Sequence, residues 1–261
     1  HRGRQISIKI NELSENAAQS LSKHNGCLCI NGLVKLSDSA AEILSLHDGG
    51  LALELDEISD SAAESLSRLE GGLDIKGLKK LSQASAESLS KLEGLALMEF
   101  EEISDTAAES LSKLRGNLFL NGLTELSDTT AKTLSKHQGN LYLNGLTELS
   151  DNAAESLSKH KEGLSLDGLI ELSDTVVKSL CPILEIGWLS LSGLTELSDT
   201  AAKYLSQSST SCGSLYLDDW IKISDTAAES LSKCKFEIND QNPKEWIESL
   251  QTNDDEFVEV R

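Results

Sequence analysis

Two hydrophobic periods alternate along most of the chain. In the stretch Asn140–Gly163, NLYLNGLTELSDNAAESLSKHKEG, the run Leu141-Tyr142-Leu143-Asn144 alternates apolar and polar residues, the two-residue period of a half-buried strand. From Asp151 onward the pattern becomes Ala153, Ala154, Leu157 and His160, the three-to-four spacing of one helix face. The switch falls at Ser150-Asp151. Asp151 predicts a helix cap through its carboxylate, at the positive end of the helix dipole. Thr106-Ala-Ala-Glu109 and Thr226-Ala-Ala-Glu229 also read as capping boxes, which leaves the helix start open by one residue. A glycine such as Gly139 closes most units and predicts a left-handed residue that ends the helix.

The same pattern recurs ten times. The aliphatic residue before each Ser-Asp step or its equivalent is Leu13, Leu36, Ile58, Leu81, Ile103, Leu126, Leu149, Leu172, Leu197 or Ile223, at spacings of 23, 22, 23, 22, 23, 23, 23, 25 and 26. The last two spacings predict loop insertions. The polar helix face carries Glu64–Arg68, Glu87–Lys91, Glu109–Lys113, Glu155–Lys159 and Glu229–Lys233, i,i+4 pairs in the favourable order. The Ala-Ala step lets the helix lie close to the strand layer. One strand–helix unit has too little partner surface to bury its apolar face, so neighbouring units must stack to form the core.

A strand, a turn and a short helix every 22–26 residues resembles the leucine-rich repeat. The likeness is closest to the cysteine-containing subclass, whose units run L-x-L-x-x-C-x-x-I-T-D-x-x-L-x-x-L. Leu141, Leu143, Leu146, Leu149, Ser150, Asp151 and Leu157 match that pattern, with Leu146 in the place of the cysteine. The tandem pattern also resembles repeats of planctomycete and related bacterial proteins. The resemblance covers about Gln5 to Cys234. It implies an α/β solenoid, a right-handed superhelix shaped as a horseshoe or arc, with a parallel β-sheet on the concave face and short α-helices on the convex face. It also implies that variable surface positions choose the binding partner. The adaptor role of cysteine-containing family members in ubiquitin ligases is not implied, because no adaptor-docking segment is present.

Lys235–Arg261 departs from the repeat and reads as a C-terminal cap on residues 5–234. Phe236-Glu237-Ile238 predicts a strand, Pro243–Leu250 a helix with Trp246, Ile247 and Leu250 on one face, and Phe257–Val260 a last strand. No comparable N-terminal cap is visible. The opening His1-Arg2-Gly3-Arg4 has no Met and no apolar leader, which reads as a trimmed or processed start.

Charge narrows the partners. Lys and Arg number 23 against 43 Asp and Glu, a formal net charge of −20, which repels phosphate backbones and anionic lipid. Nucleic acid is therefore disfavoured, and the charge serves solubility first and a basic protein partner second. No apolar run is long enough to span a membrane. Five cysteines, Cys27, Cys29, Cys181, Cys212 and Cys234, are odd in number and irregularly placed, so they predict reduced thiols in a cytoplasm rather than a disulfide framework. A Cys212–Cys234 pairing stays open. The sequence gives no indication of oligomeric state, and a monomer is assumed.

No nucleophile–base set, phosphate loop or metal-ligand spacing stands out, so the reading is non-enzymatic, without cofactor or metal. His24, His47, His137 and His160 occupy one repeat position, but Leu69, Leu92, Leu114 and Ile183 fill it elsewhere, so it predicts a semi-buried packing site. The recurring aspartates (Asp38, Asp60, Asp105, Asp128, Asp151, Asp174, Asp199, Asp225) are explained by helix capping rather than calcium. Cys27 and Cys29 share one strand face, yet zinc needs two further ligands and no second pair has suitable spacing.

The variable positions are more informative. The two polar positions of L-x-L-x point away from the core. Met98, Phe119 and Tyr142 predict a contiguous apolar-aromatic patch flanked by Asn121 and Asn144, with Trp188 and Tyr216 forming a second patch. Asp167 and Asp218 add negative charge beside it. Trp220 stands at a Leu position and predicts core or cap packing. Stacking of Phe119 on Tyr142 serves a partner or serves only the sheet. Two functions fit: a protein-binding solenoid using the concave sheet, or a structural spacer of a larger bacterial protein.

Overall fold

The computed structural model describes residues 5–208, 213–218 and 220–256. Ten short helices follow the ten repeat markers: α1 (Glu15–Leu21), α2 (Asp38–Leu44), α3 (Asp60–Leu66), α4 (Gln83–Leu89), α5 (Asp105–Leu111), α6 (Asp128–Leu134), α7 (Asp151–Leu157), α8 (Asp174–Leu180), α9 (Asp199–Ser206) and α10 (Asp225–Leu231). In each, the preceding serine is the cap. Ser150, in extended conformation, accepts from Ala153 N at 3.0 Å, and the other nine serines do the same three residues ahead of them.

This corrects the expectation that Asp151 caps through its carboxylate. A serine hydroxyl one residue earlier reaches the same class of amide. The Thr106–Glu109 and Thr226–Glu229 capping boxes do not form either, because Ser104 and Ser224 start those helices two residues upstream. Gly139 is also not left-handed. Its reason is close approach: a Cβ there would lie 2.0 Å from the Gly116 carbonyl oxygen. Eight of the ten repeat helices end instead on serines in right-handed conformation, α8 on Cys181 and α9 on Gln207. Ser158, for example, donates its hydroxyl back to Glu155 O at 2.7 Å.

Two compact units make up the chain. The first, His1–Thr124 with Lys136–Tyr142, holds β1 (Ile6–Lys9), β2 (Leu28–Asn31), β3 (Leu51–Glu54), β4 (Leu73–Lys76), β5 (Gly94–Leu97), β6 (Asn117–Phe119) and β7 (Leu141–Tyr142), all parallel and paired in chain order. Leu28, Leu51, Leu73, Leu95, Leu118 and Leu141 lie side by side across it. The second unit, Glu125–Ser135 with Leu143–Arg261, holds β8 (Leu164–Ser165), β9 (Trp188–Ser190), β11 (Ser214–Tyr216) and β13 (Glu237–Ile238), also parallel, with Leu164, Leu189, Leu215 and Ile238 aligned. A two-stranded pair joins β10 (Glu196–Leu197) to β12 (Lys222–Ile223) in the same unit. The architecture is the expected α/β solenoid.

Equal register follows from equal repeat length, and it builds the core. Leu141, Leu143, Leu146, Ala153, Ala154 and Leu157 are fully buried, as are most of their equivalents from the second repeat onward. Burying one leucine contributes roughly 1.5–3 kcal/mol, so each repeat gains most of its stability from a few side chains. The longer eighth spacing is taken up by a 3-10 turn, Cys181–Glu185, that contains Pro182. The insertion behind the ninth falls partly on residues outside the described set. At the C-terminus, β13 extends the sheet and α11 (Pro243–Glu256) follows, with Phe236, Ile238 and Trp246 buried. Phe257–Val260 and Cys212 lie outside the described residues. Three of the five expected helix pairs form: Glu109–Lys113, Glu155–Lys159 and Glu229–Lys233, at 4.0, 3.5 and 2.8 Å, all well exposed and so worth little.

The capping serines have a second task. While accepting from its own helix, each of five donates its hydroxyl to the aspartate that begins the previous helix. Ser150 donates to Asp128 Oδ1 at 2.6 Å, and Asn152 adds a bond to Asp128 Oδ2 at 2.8 Å. Ser59 donates to Asp38, Ser82 to Asp60, Ser198 to Asp174 and Ser224 to Asp199. Other hydroxyls turn to a local partner, as Ser127, which follows Asp105, donates to Thr130 Oγ1 at 2.9 Å. Ser37, following Glu15, contacts Ser39 at 3.3 Å, and Ser104, following Gln83, contacts Thr106 at 3.1 Å. The aspartates thus serve as inter-repeat acceptors, and bonds from Ser82 and Ser85 hold the Asp60 carboxyl below its ordinary value of 3.8. Bonds from Ser150 and Asn152 do the same for Asp128.

Two predictions follow from this ladder. Gln83→Asp restores the missing acceptor for Ser104 and should raise the thermal midpoint, whereas Ser150→Ala removes a cap and should cost about 1 kcal/mol in denaturant unfolding. Because the folded carboxyls lie below their unfolded values, their stabilisation is complete at neutral pH and is lost as pH falls through the folded value. In Ser150→Ala the Asp128 carboxyl should titrate closer to its ordinary value, read from its side-chain carbon resonance. An unchanged titration would contradict the ladder.

Candidate functional site

Side chains between the buried leucines of each strand stand on the opposite, open face of the sheet. In the first unit, β6 and β7 pair Phe119 directly with Tyr142. Their rings stack with centroids 4.0 Å apart and planes 10° from parallel. Met98 is 37% exposed and accepts a weak contact from Asn121 Nδ2, 3.9 Å from its sulfur. The residues of the predicted patch thus include a ring pair, Phe119–Tyr142, and a Met98–Asn121 contact. Burial pushes the Tyr142 phenol above its ordinary value, so it stays protonated and neutral through the physiological range.

Beside Phe119 the same face sinks into a depression of about 400 Å³. The row Cys29, Ala52, Asp74, Ala96, Phe119 runs across β2 to β6 in register. A second row, Cys27, Gly50, Gly72, Gly94 and Asn117, lies one step upstream. Glycine and alanine in the middle of both rows leave space that larger side chains fill elsewhere. Asp74 stands at its centre. Its Oδ1 is buried and has no hydrogen-bond partner among the described residues, and desolvation raises its carboxyl above the ordinary value against the opposing pull of Lys76. Asp74 was not among the residues singled out by sequence reasoning. The signal was present: an acidic residue between two alanines at one strand position.

In the second unit the corresponding face is largely used internally. Asn144 Oδ1 accepts from Ser165 Oγ at 2.6 Å and from Asp167 N at 3.1 Å. Asp167 accepts from Ser165 Oγ and Ser190 Oγ through its two oxygens, and from Ser192 N at 3.0 Å. Trp188 meets Tyr216 edge-to-face at 6.1 Å, and Trp188 also closes over Gly163, where a Cβ would sit 1.9 Å from the indole. The Tyr216 hydroxyl donates to Asp240 Oδ1 at 2.8 Å, which raises the phenol's pKa. Asp218 accepts from Trp220 N at 2.7 Å. Trp220 is 63% exposed, not packed in the core, because the turn shifts by one residue and Ile221 takes the buried position.

The histidine position is more buried than expected. His47, His137 and His160 are buried and His24 partly so, while Leu69, Leu92, Leu114 and Ile183 fill the same position. His47 Nε2 lies 2.9 Å from Gly26 O, which ties it to the neighbouring repeat. Cys27 is exposed, and Cys29 is partly buried and accepts from Gln5 Nε2 at 3.2 Å. Cys181 and Cys234 are free thiols, and burial pushes them up to about 11 and about 12. At those values neither is a thiolate near neutral pH. No helix among the described residues is long and apolar enough to cross a membrane. Asn144→Ala would leave the Asp167 amide without its acceptor, while the Ser165 hydroxyl keeps Asp167 Oδ2, and it should lower unfolding stability by about 1–3 kcal/mol in denaturant melts.

No protein-family model matches this sequence, and no curated protein matches it. Solved structures do. The chain is similar to one in the Toll–Spatzle complex of Drosophila, with a TM-score of 0.53 and 15% identity, over 82% of this chain and 30% of that one. A leucine-rich repeat protein of Leptospira interrogans aligns with TM-score 0.45 and 18% identity, over 88% and 58% of the two chains. An internalin of Listeria monocytogenes aligns with TM-score 0.38 and 15% identity, over 91% and 87%. This chain thus spans less than two thirds of the first two relatives. Ten in-register strand–helix repeats, together with the Toll-complex likeness, give the chain the leucine-rich repeat fold.

Proposed function

We propose that the protein is a non-enzymatic interaction module that binds a protein partner of basic character through the open face of its sheet. The observation that carries this reading is the stacked Phe119–Tyr142 pair, with the half-exposed Met98 on the same unit. Flat, rigid aromatic surface contributes binding energy at little entropic cost, and such residues dominate interface energetics. The net charge of −20 supports a basic partner by favouring its approach. The Toll–Spatzle complex, by its name, pairs a protein of this fold with another protein.

A second reading has its own support. In the second unit, Asn144, Ser165, Asp167 and Ser190 spend their polar atoms on one another, which suits a stiff spacer or scaffold segment within a longer protein. The two readings separate experimentally. A protein captured from native lysate by the folded chain should lose binding to the triple variant Met98→Ala, Phe119→Ala, Tyr142→Ala by about tenfold or more. Unchanged capture by a triple variant that still folds would overturn this face as the binding surface, and capture of no partner by the parent chain would leave the spacer.

A further inference from the structure

We infer that the depression around Asp74 is a receptor for one cationic side chain, lysine or arginine, presented by the protein partner. This rests on the interaction-module reading above and names the chemistry the partner must show. Three independent features converge on it.

The first is shape. About 400 Å³ is near the low end of the roughly 300–1,000 Å³ typical of sites that enclose small groups, enough for one long side chain. The space exists because Gly50, Gly72 and Gly94 have no side chain, and Ala52 and Ala96 only a methyl. Its floor is mostly apolar, which suits the methylene stem of a lysine or arginine.

The second is charge. A carboxylate with one oxygen buried and unsatisfied is costly unless a cation or donor meets it. The titratable groups around it are Glu93, Cys27 and Cys29 on the lining and Lys76 two residues along the same strand. Lys76 is exposed and lies outside the lining. Asp74 and Glu93 leave the depression net negative, so an incoming cation gains from both. An anion would be repelled, which removes phosphate and carboxylate ligands from consideration.

The third is the wall. Phe119 lines the depression, and Tyr142 covers one face of its ring. The other face looks toward Ala96 and the space above Asp74, because the strands place Ala96, Phe119 and Tyr142 in that order. An ammonium or guanidinium held at Asp74 therefore meets a π face as well as a carboxylate. The aromatic pair and the depression then act as one surface: rings for the partner's apolar contact and Asp74 for its charge.

The test uses the full chain and a minimal probe, n-butylammonium, with butyrate as the anionic control. Titration followed by amide resonances should move Ala52, Asp74, Ala96 and Phe119 saturably with butylammonium and not with butyrate. Asp74→Asn keeps the shape and should weaken the probe by roughly tenfold, the scale of losing one charge-assisted hydrogen bond. Ala52→Leu fills the space and should abolish binding with Asp74 intact. Equal shifts from both probes, or an Asp74→Asn protein that binds butylammonium as well as the parent, would overturn the site. The captured partner gives a separate reading. Loss of its binding in Asp74→Asn places the cation on the protein partner, while unchanged binding alongside an Asp74-dependent butylammonium site overturns that source. Failure of the aromatic triple variant to affect capture bears on the interaction surface and leaves the probe result standing.

Discussion

A helix of seven residues and a strand of two to four have no stability of their own, and in this chain each exists because the next repeat lies against it. Stacking in equal register is the constraint on which everything else depends. Across the first unit it places leucine beside leucine, so the core of that unit is a continuous column. It also places backbone against backbone tightly enough that Gly139 has no room for a Cβ. Any residue that disturbs the rise from one repeat to the next is felt by its neighbours.

The same constraint explains the polar ladder. A serine that caps its own helix lies one repeat from the aspartate that starts the previous one, so a single hydroxyl bonds in both directions. Capping and stacking are thereby coupled: a helix start is correct only when its neighbour is correctly placed. Gln83 and Glu15 show the reverse case, since without an aspartate the hydroxyls of Ser104 and Ser37 bond locally. On the sheet face, Asn144 and Asp167 repeat the principle with side chains that bridge one strand to the next.

These internal demands divide the sheet face between structure and display. Where polar residues bridge neighbouring strands, their donors and acceptors are consumed. Where glycine and alanine replace them, across β3 to β5, the face is hollow, with Asp74 at its centre and Glu93 on its lining. Beside the hollow, two aromatic rings make a rigid wall. The hollow and the stacked rings thus fall in repeats that lack such bridges.

The repeat period and the alternation of two hydrophobic periods were sufficient to establish ten strand–helix units, the buried leucines and alanines, and the pairing of Phe119 with Tyr142, since a fixed repeat length forces equivalent residues side by side. Tertiary structure decided what depends on atoms from two repeats at once. It gave the cap to serine rather than aspartate, because the serine hydroxyl one residue earlier reaches the helix amide, and it turned several of the carboxylates toward the following repeat. It gave Gly139 a steric role in place of a left-handed one, and turned Trp220 outward because a one-residue shift put Ile221 in the buried position. It also revealed Asp74, whose meaning depends on the emptiness of its neighbours on adjacent strands. A linear pattern records which residues recur, while the partners of a polar atom are settled only when the repeats stack.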